Sequence, residues 1–228
     1  MRPDTVMLFA AGFGTRMQHL TKTRPKPLVE VSGRPLIDYA RDQVRDFGAK
    51  RVLCNLHYLP EALEAHLAGS GVLFSREEPD ILDTGGGLKA ALPLLTRETV
   101  FTMNTDAVWR GPNPLSCLAN MWDPERMDAL LLCVPQENAI GHSGAGDFVI
   151  ESESRAIRGP GVIYTGLQII KTASVADVPE TVFSLNLVWN RLIAEARLCA
   201  VTYPGRWCDV GSPAGVVLAE EFLRHGDV

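Results

Sequence analysis

Two short stretches near the start of this chain combine glycine, hydroxyl and cationic side chains in a pattern suited to phosphate. The first, "LFAAGFGTRM" from Leu8 to Met17, is an apolar run that breaks into Gly12, Gly14, Thr15 and Arg16. A dinucleotide fingerprint needs a third glycine and a Walker A loop needs a terminal Gly-Lys-Ser/Thr; both patterns fail at Met17. What remains is a strand followed by a glycine-rich turn, whose backbone N–H groups can approach an anion with no Cβ in the way. Thr15 adds a hydroxyl, and Arg16 adds a planar fork of donors that matches phosphate oxygens. A tight turn with a solvated arginine has the same residues, so the stretch alone leaves both readings open.

Ten residues further on, Lys26 lies between Pro25 and Pro27. Each proline fixes its own φ and pushes the residue before it toward extended geometry, so Lys26 sits on a stiff segment and can be aimed at a fixed charge. Taken alone, such a lysine is most simply a solvated one. The combination of G-x-G-T-R with P-K-P is far more specific than either half. It resembles the signature of the sugar-1-phosphate nucleotidyltransferases, which join a nucleoside triphosphate to a sugar phosphate and release pyrophosphate.

The elements that must position these residues are legible in the hydrophobic pattern. Short apolar runs at 6–10, 51–55, 72–75 and 99–104 read as strands; 35–47, 60–67 and 87–95 carry helical spacing, the first ending near Gly48. Strands alternating with helices predict an α/β fold, a Rossmann-like, doubly wound and mostly parallel sheet that binds ligands at the carboxyl ends of its strands. Beyond about residue 125 the rhythm changes: 127–134, 148–152, 156–158 and 162–170 read as strands, followed by a helix at 185–196, a strand at 198–203 and a helix at 213–223. The expected organisation is one domain over 1–228, with a nucleotide-binding half (1–125) and a small β-rich elaboration on the same sheet (126–228).

Composition narrows the class. The 228 residues carry 22 Lys and Arg against 27 Asp and Glu, a formal charge of -5, which argues against broad binding to nucleic acid. A small anionic substrate is still admissible, because a few placed cations outweigh net charge locally. Five cysteines (Cys54, Cys117, Cys133, Cys199 and Cys208) include no C-x-x-C pair, which points to a reducing cytoplasm rather than a disulfide framework or a zinc site. The apolar run at 6–11 is far shorter than the roughly 20 residues of a membrane span, so the protein is expected to be cytoplasmic, with no membrane partner.

The resemblance extends over nearly the whole chain. The segments "GRPLIDYA" (33–40), "LDTGGGLKAALPLL" (82–95), "NTDAVW" (104–109), "GAGDF" (144–148), "YTGLQI" (164–169) and "GRWCDVGSP" (205–213) look like those of the uridylyltransferases acting on N-acetylmuramic acid 1-phosphate in cell-wall recycling. This implies the nucleotide-diphospho-sugar transferase fold and UTP as the favoured donor. It further implies that the turn from Gly12 to Arg16 cradles the triphosphate, with Arg16 on the outer phosphates and Lys26 near the α-phosphate. Asp106 and Asp209, each near a predicted strand end, would hold Mg²⁺, a cation that takes one or two carboxylates plus phosphate oxygens and water. By position alone each is equally a turn or cap aspartate.

Base contacts are implied for the backbone of Ala11, Gly12 and the Thr84–Gly87 loop, including Gly85 and Gly86. Relatives carry L-E-T-G-G where this chain has Asp83. Sugar contacts are implied for Asn104, Asp147, Tyr164, Thr165 and Gly166. Relatives that activate hexoses carry an E-K-P segment between the two aspartates; it is missing here, which favours the muramic-acid branch and leaves the cationic partner of the sugar phosphate unassigned, Arg155, Arg158 and Lys171 being candidates that each read more simply as a surface charge. A guanylyltransferase for mannose or heptose 1-phosphate is the alternative, and a non-catalytic nucleotide-sugar sensor a second one. Longer relatives append a left-handed β-helix, which is not expected in this chain. His19, His57, His66, His142 and His225 show no metal-ligand spacing; Trp109, Trp122, Trp189 and Trp207 read as core or pocket wall, and Cys208 as a buried structural thiol.

Overall fold

Val6 and Leu8 of the first strand bury into one hydrophobic cluster and Met7 into another, so the period-2 alternation of a strand places a core on each face of the sheet. The same alternation recurs in Leu130, Leu132 and Val134 against Ala129, Leu131 and Cys133. The computed structural model describes residues 2–224, so His225 lies outside the described residues.

In chain order, β1 (Thr5–Phe9) leads through a 3-10 turn at Thr15–Thr21 to the short pair β2 (Glu30–Val31) and β3 (Arg34–Pro35). There follow α1 (Leu36–Phe47), β4 (Arg51–Leu56), α2 (Pro60–His66), β5 (Leu73–Arg76), α3 (Asp83–Leu95) and β6 (Thr99–Asn104). The middle of the chain forms β7 (Ala107–Arg110), α4 (Pro114–Met121), β8 (Ala129–Val134), β9 (Ala139–Ile140), β10 (Phe148–Ile150) and β11 (Ala156–Arg158). It closes with β12 (Ile163–Lys171), α5 (Ala173–Ala176), α6 (Leu185–Ala194), β13 (Leu198–Thr202), β14 (Arg206–Asp209) and α7 (Pro213–Arg224).

Seven strands form the main sheet in the order β13-β8-β12-β6-β1-β4-β5. All pairings are parallel except those of β12, which runs antiparallel to both neighbours. α1, α2 and α4 cover one face, contributing Ile37, Ala40, Leu63 and Leu115. α3, α5 and α6 cover the other with Leu88, Val175 and Val188. Burying each such aliphatic side chain contributes about 1.5–3 kcal/mol. α1 stops where predicted, at Gly48, whose φ of 80° is the left-handed C-terminal cap that glycine takes without a Cβ penalty.

Beside the main sheet stands a second one, β7-β14-β9, backed by α7 through a third cluster that holds Met17, Leu36, Val108, Cys208, Val210 and Phe222. The sequence pattern did not predict it. At four residues each, β7 and β14 are too short for alternation to register. α4 was also unpredicted, although Asn113-Pro114 is a helix-start signal: the Asn113 side chain accepts from the N–H of Ser116, and proline occupies the first turn. α3 begins at Asp83 rather than Gly87, because three glycines of low helix propensity are held in its first turn by tertiary contact.

Candidate active site

The loop after β1 opens at the carboxyl edge of the sheet. Gly12 is exposed, with nothing within 4 Å of the place a Cβ would occupy, and the N–H groups of Gly12 and Phe13 donate to no group among the described residues. Gly14 has a φ of +63°, and a Cβ there would meet the Cβ of Lys26 at 2.8 Å and Cγ2 of Thr21 at 3.0 Å. The glycine therefore does two things: it turns the chain and lets the lysine stem close against the loop. Lys26 begins a short 3-10 turn, with Pro25 extended before it and Pro27 buried after it. Its Nζ reaches Oδ2 of Asp106 at 2.5 Å, with the lysine side chain 12% and the aspartate 24% exposed.

Asp106 lies in the two-residue bend between β6 and β7, near the strand end that the sequence predicts. Asp209, by contrast, is the last residue of β14 and not a loop residue after β13. The antiparallel register pairs Asp209 with Ala107, and the N–H of Val210 donates to the Asp106 carbonyl at 2.9 Å. This second sheet is what brings together two aspartates far apart in sequence. Burial and the charge of Asp106 raise the pKa of Asp209, while Lys26, Arg16 and His142 oppose the rise. A Cβ on Gly211 would lie 3.0 Å from Asp209 Oδ2 and 3.2 Å from Arg16 Nη1, so that glycine leaves the room the two side chains share. Arg16, Lys26, Asp106 and Asp209 thus converge on one place, two cations facing two carboxylates.

Beside them lies a cleft of about 220 Å³ lined by Phe9 to Gly12, Lys26, Pro27, Asn55, Glu77, Ile81, Asp83, Thr84 and Asn104 to Asp106. Its walls are the loop after β1 and the start of α3.

Residues 6–206 match the MobA-like NTP transferase domain. The chain belongs to this family. It is 36% identical, over 98% of both chains, to a Caulobacter vibrioides protein named N-acetylmuramate alpha-1-phosphate uridylyltransferase. A Neisseria meningitidis serogroup B protein of the same name is 30% identical over 90% of this chain and 92% of its own. The crystal structure of HddC from Yersinia pseudotuberculosis complexed with GMP-PN has the same fold, with a TM-score of 0.77 at 22% identity over 96% of this chain and 99% of that one.

Several expectations are revised in this MobA-like transferase. Gly85 and Gly86 are buried, and both N–H groups donate to the Phe183 carbonyl, at 2.9 and 3.0 Å. A Cβ on either would run into residues 181–183. Their smallness serves helix packing, and the cleft wall is made by Asp83 and Thr84 instead. The Asp83 carboxylate is turned back to the Thr84 N–H at 2.5 Å. Thr165 is 2% exposed and its hydroxyl donates to the Leu132 carbonyl at 2.7 Å, which takes that hydroxyl out of sugar binding. The Tyr164 phenol is likewise turned inward: burial holds its pKa well above the usual value, and its ring packs edge-on against Trp189 at 4.9 Å.

The other residues implied for the sugar fall in two places. Asn104 lines the cleft, and Gly166, with a φ of +81°, sits where a Cβ would come within 2.6 Å of the Asn104 amide. Asp147 accepts from the Tyr164 N–H at 2.9 Å. Lys171 is excluded as a phosphate partner: it pairs with Asp128 at 2.8 Å, and its register with Thr99 puts it at the opposite edge of the sheet. Arg155 approaches Glu151 at 3.9 Å; Arg158 is held by Asn186 at 2.6 Å and lies over the Phe148 ring. Cys208 is buried, and burial pushes its thiol up to about 12, as suits a structural cysteine. Sequence reasoning set His142 aside and missed Asn55 and Glu77. Among the histidines the first alone falls on a plausible sugar loop, beside Gly141 and Gly144, and no local signal marks the other two.

Proposed function

We propose that this chain is a Mg²⁺-dependent uridylyltransferase that joins UTP to N-acetylmuramic acid 1-phosphate, giving UDP-N-acetylmuramic acid and pyrophosphate. The chain is a sugar-1-phosphate nucleotidyltransferase, the activity shared by the relatives it matches. The choice of UTP and of the muramic acid ester rests on the 36% identity across 98% of both chains. Catalysis rests on one observation, the convergence of Arg16, Lys26, Asp106 and Asp209 beside the cleft.

In the reaction a phosphate oxygen of the sugar ester attacks the α-phosphorus in line, a new P–O bond forms, and the bond to the β-phosphate breaks to release pyrophosphate. The nucleophile is anionic at neutral pH, so no general base is needed, and the work lies in bringing two anions together and balancing charge on the phosphoryl oxygens. Gly12 and Phe13 offer unengaged N–H groups to the triphosphate, and Arg16 meets its outer phosphates. Lys26 faces the α-phosphate.

Asp106 and Asp209 fit a magnesium ion: two carboxylates close enough for one to raise the pKa of the other, with no third acidic, His or Cys side chain grouped with them among the described residues. When bound, the ion supplies positive charge to the phosphoryl oxygens. Asn104, held against Gly166, presents its amide to the acceptor sugar.

The test is pyrophosphate release with Mg²⁺ across UTP, GTP, CTP and ATP, each with the 1-phosphates of N-acetylmuramic acid, N-acetylglucosamine, mannose and heptose. Turnover confined to UTP with the muramic acid ester supports the reading. Turnover with GTP and mannose or heptose 1-phosphate replaces the substrate pair, and nucleotide binding without turnover in any pair replaces the enzyme by a sensor.

A further inference from the structure

Glu77 is a carboxylate with 1% exposure at the base of the cleft, and nothing in the transfer chemistry uses it. Both its oxygens are engaged. Oε1 accepts from Asn55 Nδ2 at 2.7 Å and Oε2 from the N–H of Leu82 at 2.8 Å. Asn55 in turn accepts through Oδ1 from the N–H of Ala10 at 2.8 Å. A continuous relay therefore runs from the loop after β1, through two buried side chains, to the residue that precedes α3.

Two further contacts belong to it. The Glu77 carbonyl lies 2.8 Å from Nδ1 of His57, and His57 packs edge-on against the Phe13 ring at 5.2 Å. The first loop is thus fastened to Glu77 at Ala10 and again at Phe13. A Cβ on Gly87 would intrude on Glu77 Oε1 and come within 3.0 Å of Asn55 Nδ2, so the third glycine of the triplet makes room for the relay.

We infer that Asn55 and Glu77 are a positioning pair that fixes the spacing between the two walls of the nucleotide cleft, and with it affinity for the donor nucleotide. The inference rests on the cleft being the nucleotide site proposed above. The walls it joins, Ala10 to Gly12 and Asp83 to Thr84, carry no direct side-chain link across the cleft other than this pair among the described residues. A buried donor or acceptor left without its partner is costly, so the pair holds only if all three hydrogen bonds are made together.

The hydrogen-bond inventory gives a sharp test. In Glu77→Gln one amide N–H must face another donor. In Asn55→Asp two carboxylates must meet in a buried site. In the double variant Asn55→Asp/Glu77→Gln, the aspartate still accepts from Ala10, the glutamine amide donates to the aspartate, and its oxygen accepts from Leu82, with the pair's formal charge unchanged.

The measurement is UTP binding with Mg²⁺ by calorimetry on the full chain, alongside KM and kcat for UTP and amide exchange over 8–14 and 80–85. Each single variant is expected to weaken UTP binding by about tenfold or more, with faster exchange in both segments and little change in the acceptor KM. The double variant should return both readouts to within about threefold of the wild type, since all three bonds are remade. Single variants that bind UTP as the wild type does, or a double variant no better than the singles, would overturn the pair's role while leaving the nucleotide cleft standing. A wild type that binds no nucleoside triphosphate would overturn the cleft reading and the inference with it.

Discussion

The Lys26 ammonium rests 2.5 Å from Oδ2 of Asp106, so the cation assigned to the α-phosphate and a carboxylate assigned to the metal hold one another in the protein alone. Each keeps the other in place. A ligand that brings both a phosphate and a divalent cation exchanges this one contact for two without leaving either charge unpaired. Substituting Lys26 by methionine keeps the stem against Gly14 and removes only the charge. The expected result is a fall in kcat of about 10²-fold or more with the UTP KM changed by less than about threefold, because the charge acts where negative charge develops. Steady-state kinetics under saturating acceptor measure it.

Gly14→Ala should act on the same lysine from behind. A Cβ at a φ of +63° costs about 1–2 kcal/mol in backbone strain, and the new methyl would fall 2.8 Å from the Lys26 Cβ. Thermal denaturation should show lower stability, and kcat should fall even at temperatures where the variant is fully folded.

Gly166→Ala and Thr165→Val are adjacent and should separate cleanly. The alanine displaces Asn104, and the acceptor KM should rise by at least about tenfold. The valine deletes a buried hydrogen bond to Leu132 and should cost about 1 kcal/mol of stability with the acceptor KM unchanged. An acceptor KM that rises in Thr165→Val would return that hydroxyl to the sugar site.

Asp128 predicts a pH effect remote from catalysis. Its carboxyl is held below the usual range by hydrogen bonds from Arg197 and Lys171, both at 2.8 Å. A depressed folded-state pKa contributes stability above the unfolded value of about 3.9 and loses it as pH falls through the folded value. Asp128→Asn should therefore lower stability near neutral pH, by no more than about 1 kcal/mol for a partly exposed cluster. Urea unfolding curves of variant and wild type should converge as the pH drops below about 4.

Strands and helices with strong periodicity, such as Thr99–Asn104 and Leu36–Phe47, are legible in the sequence because each carries its burial pattern locally. The same holds for Asp106 near a strand end, whereas Lys26 opens a 3-10 turn instead of the extended geometry that Pro27 predicts for it. Asp209 is different. Its residue identity is visible, but its partnership with Asp106 depends on the register between two four-residue strands, which no local pattern encodes. The glycine triplet was misread for a similar reason: Gly85 and Gly86 suggest an open loop, whereas their smallness is used by a segment about 100 residues away. Asn55 and Glu77 carry no signal at all, being ordinary polar residues whose role exists only once β4 and β5 lie side by side.

The most direct test of the account is kcat for Asp106→Asn, Asp209→Asn and the double variant at saturating UTP, acceptor and Mg²⁺. If the two carboxylates hold one cation jointly, either single substitution should remove most of the rate, and the double should lose little more than the worse single, because residues acting as a unit are strongly non-additive. Full additivity of the two losses, or near wild-type turnover in either single variant, would contradict a shared metal site and with it the mechanism argued for this enzyme.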